Sequence, residues 1–139
     1  MTELDRVKKI VNAYIADVHN MMRSKPVFDG LLGLGKLPGR DAVHERYYEL
    51  LREEIAAAVS SELAEPEAFT VCSYILRAEK ELDGSLLVRT MLIAFQGLIA
   101  PLIPLLSKEH RQELLRYLET SCPPRRRLPC QNEIARLLK

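Results

Sequence analysis

The sequence predicts an all-α domain, and three observations support this fold class. Apolar residues recur at spacings of three and four along much of the chain, which is the period of an amphipathic helix. No segment shows the apolar-polar alternation that is typical of a half-buried strand. The chain has 139 residues, of which 47% are hydrophobic, so a single domain over 1–139 can bury a core without disulfides or metal ions.

The first two predicted helices flank a long loop. Residues 3–22 are predicted to form an amphipathic helix with Thr2 as its N-cap. Its apolar stripe consists of Leu4, Val7, Val11, Tyr14, Val18 and Met21. Such a stripe usually packs on a core, and a coiled-coil seam is the alternative. Glycines and prolines predict a loop over 24–40, and a second helix follows over 41–63, capped by Asp41.

The next two helices are predicted over 66–81 and over about 85–100. Pro66 suits the first turn of a helix, where its missing N–H has no intrahelical role. The helix over 85–100 is the most apolar of the chain, because the seventeen residues from Thr90 to Leu106 carry no charge. A segment of this length approaches a membrane span, but the centre of a globule is the preferred interpretation.

The last part of the chain is predicted to form two further helices. Pro101 and Pro104 are expected to end the apolar helix and to bend the chain into a helix over about 105–120. A short helix is expected from about Asn132 to the C-terminus. The final residues, Glu133–Lys139, are too few and too charged for a membrane anchor.

Charge and cysteine content argue against several classes of protein. The formal net charge is only +1, so the surface as a whole is not expected to attract nucleic acid or anionic membranes. Three cysteines are an odd and small number for a secreted domain. The N-terminus has no basic segment followed by an apolar one, so no signal peptide is expected. An intracellular, cytoplasmic location is therefore predicted.

The candidate catalytic and metal-binding motifs are weak. Residues 30–36 have the glycine and lysine spacing of a phosphate-binding loop, but Leu37 replaces the hydroxyl residue that would bind Mg²⁺. Cys122, Cys130 and His110 do not have the spacing of a zinc site. His19 and His44 have no nucleophile at a suggestive spacing. We therefore expect a binding protein without enzymatic activity, metal or cofactor.

One stretch resembles the first homology motif of the Bcl-2 family. The matching residues are Glu81, Leu82, Asp83, Gly84, Arg89, Phe95 and Gly97. Leu86, Leu87 and Val88 stand where the family has Asn-Trp-Gly. Upstream, the segment 39–47 resembles the end of the third homology motif, with one residue inserted before Arg46 and Tyr47. The family's tryptophan-marked second motif is absent from this Trp-free chain.

The resemblance implies a Bcl-2-like bundle in which the helix over 85–100 is central and amphipathic helices surround it. It implies an inhibitor of apoptosis that holds the BH3 helix of a pro-apoptotic protein in an apolar groove. Arg89 would pair with the aspartate of that helix. The groove walls would be Val43, Tyr47, Leu51, Ile55, Cys72, Ile75, Leu76, Leu86 and Leu92, each of which also fits an ordinary core.

The short chain and its diverged motifs are similar to the virally encoded members of the family, which implies a role in host–virus interaction. Partners at mitochondria would then place the protein there peripherally. Leu86-Leu87-Val88 adds apolar surface near the groove, so self-association stays open.

Two other functions remain open at the level of sequence. One is a small helical regulator that dimerises through residues 4–21 and binds nucleic acid through Arg125–Arg127. The other is a helical adaptor with an unrelated partner.

Overall fold

A computed structural model describes residues 1–24, 40–82, 86–122, 125 and 127–139. This part of the chain is helical and contains no strand. The α-helices are α1 (Glu3–Ser24), α2 (Arg40–Ser60), α3 (Glu65–Glu81), α4 (Leu86–Ile93), α5 (Lys108–Ser121) and α6 (Pro129–Leu138), with a 3₁₀ helix (Gln96–Leu105) between α4 and α5. The all-α prediction is confirmed, whereas the predicted loop over 24–40 falls almost wholly outside the described residues.

Local sequence explains where the first helices begin and end. The predicted cap at Thr2 is present, because its hydroxyl accepts the Asp5 N–H at 3.1 Å while the Asp5 carboxylate accepts the Thr2 N–H. The second helix begins at Arg40, so Asp41 lies inside it and is not its cap as predicted, and it ends at Ser60 rather than at 63. Glu62 has a φ of 56°, and Leu63 donates its N–H to the carbonyl of Ala58, so the helix ends in a left-handed residue. Glycine is the usual residue at such a position, and its absence here is why the sequence did not indicate this helix end.

The prediction of one continuous helix over 85–100 is wrong. The α-helix ends at Ile93, and hydrogen bonds between residues three apart begin with Ala94 to Met91. The 3₁₀ helix then runs on to Leu105 through both prolines, so the next α-helix starts at Lys108 instead of about 105. Pro101 has no N–H to donate, and in an α-helix its ring would clash with the carbonyl of Gly97.

The apolar segment forms the middle of the core. One continuous cluster of buried side chains joins all the helices, and Ile99 and Leu102 of the 3₁₀ helix are fully buried in it. Pro101 and Pro104, one 3₁₀ turn apart, are exposed. Val88–Leu105, with a mean hydropathy of 1.6, is long and apolar enough to cross a membrane, a test that the core helix of a soluble protein also passes.

Contacts between side chains define how the helices run. The helices α1 and α2 are antiparallel, because Arg6 reaches Glu54 at 3.5 Å while Tyr14 reaches His44 at 2.8 Å. The helices α3 and α5 are parallel. Glu65 and His110 meet at their starts, and the Lys80 ammonium donates to the Ser121 carbonyl at their ends.

The last helix begins three residues before the predicted start. Pro129 occupies its first turn, and the Gln131 side chain accepts the Leu128 N–H at 2.9 Å. Ile134, Ala135 and Leu138 are buried against the rest of the chain. The C-terminal segment is therefore part of the core.

Candidate functional site

Arg89 lies on α4, the helix that packs against α3. Its side chain is half-buried, and its Nε is a buried nitrogen without a hydrogen-bond partner in the described part of the molecule. A buried donor without a partner costs about 1–3 kcal/mol. Four other buried side-chain atoms also lack a hydrogen-bond partner in the described part of the molecule, one each in Glu3, Tyr74, Arg111 and Arg127. The orphan nitrogen singles out Arg89 only in combination with the Asp83-Gly84 motif that precedes it.

Most of the predicted groove walls lie in the core. The buried members are Tyr47, Leu51, Ile55, Cys72, Ile75, Leu76 and Leu92, with exposed fractions between 0% and 6%. Val43 is half-buried, and the side chain of Leu86 lies outside the described residues. The same helical period that places apolar residues along a groove also places them in a core. As the helices are packed, these seven side chains do not line an open groove.

A cluster of aromatic side chains joins α1, α2 and the start of the 3₁₀ helix. Tyr14 is hydrogen-bonded to Nδ1 of His44, and the His44 ring stacks on Phe95 with 5.2 Å between centroids. Tyr47 donates its hydroxyl to Asp17, and this bond raises the pKa of Tyr47, with burial as a further cause. The cluster packs around Phe95, the aromatic residue of the predicted motif.

Two buried glutamines link three elements of the core. Gln131 of α6 donates to the side-chain oxygen of Gln96 at 3.0 Å, and Gln96 donates to the carbonyl of Leu76 on α3 at 3.2 Å. The Gln131 oxygen accepts from the Leu128 N–H and from the Cys122 thiol at 3.2 Å. Neither glutamine has a sequence feature that predicts a buried hydrogen-bonding role.

A histidine–glutamate pair lies where α3 and α5 begin. His110 Nδ1 is 2.7 Å from a Glu65 oxygen that also accepts the Ser107 N–H at 2.8 Å. The Ser107 N–H, followed by His110, holds the pKa of Glu65 below its ordinary value. Ser107 accepts the backbone N–H of His110 as the cap of α5, and Phe69 stacks on the His110 ring. This geometry joins the starts of the two helices.

The three cysteines occupy two different environments. Cys72 on α3 is fully buried, and burial raises the pKa of its thiol to about 12. Cys122 and Cys130 are half-buried near the start of α6. Burial is also the largest cause that raises the pKa of Cys130. Among the described residues, no group of three or more His, Cys, Asp or Glu side chains is arranged to hold a metal ion.

One shallow apolar pocket of about 290 Å³ lies between the starts of α1 and α3. It is lined by Thr2, Leu4, Pro66, Glu67 and Thr70. The pocket is remote in sequence from Arg89, and its polar lining residues are the exposed Thr2 and Thr70 and the half-buried Glu67.

The α1 stripe and the basic cluster are the two features on which the alternative of a dimeric, nucleic-acid-binding regulator depends. The α1 stripe is internal, because Val7, Val11, Tyr14 and Val18 are 0–2% exposed, so this stripe is not free to form a dimer seam. In the basic cluster, Arg125 is exposed, and Arg127 donates its Nε–H to the Cys122 carbonyl at 2.9 Å. Arg126 lies outside the described residues.

Comparison with known proteins adds no relative, since no family model, no curated protein and no solved structure matches the chain.

Proposed function

We propose that the protein is a Bcl-2-like inhibitor of apoptosis that has no enzymatic activity and holds the BH3 helix of a pro-apoptotic protein. The observation that carries the proposal is the buried Nε of Arg89, which has no hydrogen-bond partner in the described part of the chain. Arg89 is also the residue that the resemblance assigns to the partner's aspartate. Of the buried polar atoms without a partner, the Nε of Arg89 is therefore the one that the motif also selects.

Electrostatics explain why a carboxylate is the ligand group that Arg89 would bind. Arg89 is the fourth residue of α4, close to the positive end of the helix dipole, where a cation is unfavourable. A carboxylate from a partner would supply an acceptor for the buried Nε–H and compensate the positive charge at this helix end. Arginine also binds carboxylates with two parallel hydrogen bonds, which fixes the orientation of the partner.

The buried walls determine how the apolar side of a BH3 helix would be received. Leu51, Ile75 and Leu92 are at most 2% exposed, so a ligand helix reaches them only when neighbouring helices separate. Binding then depends on a minor open state of the protein. The apparent affinity for the ligand is reduced in proportion to the fraction of molecules in that state. We expect binding that is slower and weaker than binding to a groove that is already open.

Calorimetric titration of the full chain with a panel of BH3 peptides tests the proposal. We expect at least one peptide to bind, and we expect Arg89→Glu to weaken that binding by at least about 30-fold, as the loss of a buried charge pair would. Replacing the peptide's aspartate with alanine should weaken binding to the wild-type protein in the same way.

Arg116→Glu is the matched control, since Arg116 is exposed on α5 and the substitution makes the same change in charge. Circular dichroism of each variant checks that its helical content is unchanged. A panel without any binder contradicts the proposed function, and binding that Arg89→Glu and Arg116→Glu leave equally unchanged contradicts the role of Arg89.

A further inference from the structure

The end of α5 and the start of α6 bring two thiols together. Cys122 follows the last residue of α5, and Cys130 is the second residue of α6. Two contacts of Cys122 tie it to the neighbourhood of Cys130. Its thiol lies 3.2 Å from the Gln131 side-chain oxygen, and its carbonyl accepts the Arg127 Nε–H at 2.9 Å. Cys122 is therefore in contact with Gln131, which follows Cys130, and with Arg127, which lies three residues before Cys130.

Cys130 occupies a confined position on the inner side of α6. Its sulfur is 3.9 Å from the carbonyl of Ile93, and a Cβ added to Gly97 would lie 3.6 Å from its own Cβ. Burial is the main cause that raises the pKa of the Cys130 thiol, and the charge of Cys122 adds a smaller rise. The geometric link between the two cysteines is the 3.2 Å contact of the Cys122 thiol with the side chain of Gln131, the residue that follows Cys130.

We propose that Cys122 and Cys130 are a redox-modification site at which a reversible disulfide joins the end of α5 to the start of α6. Cys72 is not part of this site, because it is fully buried on α3. Seven residues separate the two cysteines in the sequence, which is a short loop for a disulfide to close.

The oxidant is a peroxide, and the reaction balances with two thiols and one peroxide molecule. The thiolate of one cysteine attacks a peroxide oxygen, the O–O bond breaks, and the sulfur becomes a sulfenic acid, while the leaving hydroxide or alkoxide takes up the proton that the thiol released and departs as water or an alcohol. The second sulfur attacks the first, an S–S bond forms, the S–O bond breaks, and water leaves. Each sulfur loses one electron to the peroxide. A thiol whose pKa is raised reacts slowly, so we expect oxidation to be slow.

The disulfide changes the contacts of α6 in a defined way. The hydrogen bond from the Cys122 thiol to Gln131 is lost, while the Gln131 oxygen keeps the Leu128 N–H. The covalent link restricts the unfolded chain, so the oxidised protein should melt at a temperature higher by on the order of 5 °C. Oxidation at this site would therefore add a covalent link between the start of α6 and the end of α5.

Intact-mass spectrometry after treatment of the full chain with excess hydrogen peroxide tests this inference. We expect a species lighter by two hydrogen atoms, in which two of the three thiols resist alkylation under denaturing conditions until dithiothreitol is added. Trypsin cleaves at the arginines between the two cysteines, so digestion should release two peptides joined by the disulfide. This peptide map identifies the pair without any substitution.

The variants Cys122→Ser and Cys130→Ser should each abolish the lighter species, and the matched control Cys72→Ser should retain it. Three outcomes would overturn the inference. These are alkylation of all three thiols after oxidation, oxygen adducts on separate cysteines, or disulfides that form only between chains.

Discussion

The side chain of Gln131, near the end of the chain, forms hydrogen bonds that join α6 to the end of α5 and to the 3₁₀ helix. Gln131 is 3% exposed. Its side-chain oxygen accepts hydrogen bonds from the Leu128 N–H at the start of α6 and from the Cys122 thiol, and its side-chain nitrogen donates to Gln96. Buried polar side chains are costly unless each donor and acceptor has a partner. The two glutamines satisfy each other and thereby fix how α6 sits on the 3₁₀ helix.

A double-mutant cycle on the two glutamines measures this coupling. We expect Gln131→Leu to lower the free energy of unfolding by about 1–3 kcal/mol, because it leaves the Gln96 oxygen buried and unpaired. The double variant Gln96→Leu with Gln131→Leu should cost less than the sum of the single variants, since no buried amide is then left without its partner. Urea denaturation gives all the values, and Asn132→Leu, at an exposed position of α6, is the control. Additive costs would show that the glutamine pair is not an energetic unit.

At the scale of elements, the junction of α3 and α5 depends on an ionised glutamate. The Ser107 N–H and His110 stabilise the charged form of Glu65 in the folded protein, so the pKa of Glu65 is lower than its value of 4.5 in the unfolded chain. The stabilising contribution is present above about pH 4.5, where the unfolded chain is also ionised. It is lost as the pH falls through the lower folded pKa.

Glu65→Gln removes this pH-dependent contribution. We expect the melting temperature of the wild-type protein to fall more steeply than that of Glu65→Gln as the pH is lowered below about 4.5. Glu113→Gln, at an exposed position of α5, should follow the wild-type curve. Circular dichroism melts at a series of pH values make the comparison. Parallel curves for the wild-type protein and Glu65→Gln would contradict a stabilising role for the Glu65 charge.

The elements also show how far the sequence determines the fold. The helical period located α1, α3 and α5 to within about three residues, since each has one apolar face and a cap or proline at its start. The period could not predict where α4 changes to a 3₁₀ helix. A segment that is apolar on all sides has no separate apolar face, so the spacing of its apolar residues does not indicate the helix type. The period also could not separate groove walls from core, since Leu51 and Ile75 have the same spacing in either role.

At the scale of the whole molecule, the core is closed by contacts between distant parts of the chain. The α1 stripe packs inward on α2, and α6 packs against the 3₁₀ helix and α5. The polar contacts that orient these elements, from Tyr14 to His44 and from Gln131 to Gln96, join residues at least 30 positions apart. Such pairs have no local signature, which is why the sequence did not reveal them.

The internal position of the α1 stripe predicts how stability depends on protein concentration. Val11 is 2% exposed within a single chain, so Val11→Ala should lower the free energy of unfolding by about 1–2 kcal/mol through lost burial. If the stripe were instead a dimer seam, the melting temperature would rise with protein concentration, because association stabilises the folded state by mass action. We expect the wild-type protein and Val11→Ala to differ by the same temperature at every concentration, and Asn12→Ala, at an exposed position of α1, to match the wild type. A melting temperature that rises with concentration for the wild type, but not for Val11→Ala, would assign the stripe to a dimer instead of the core.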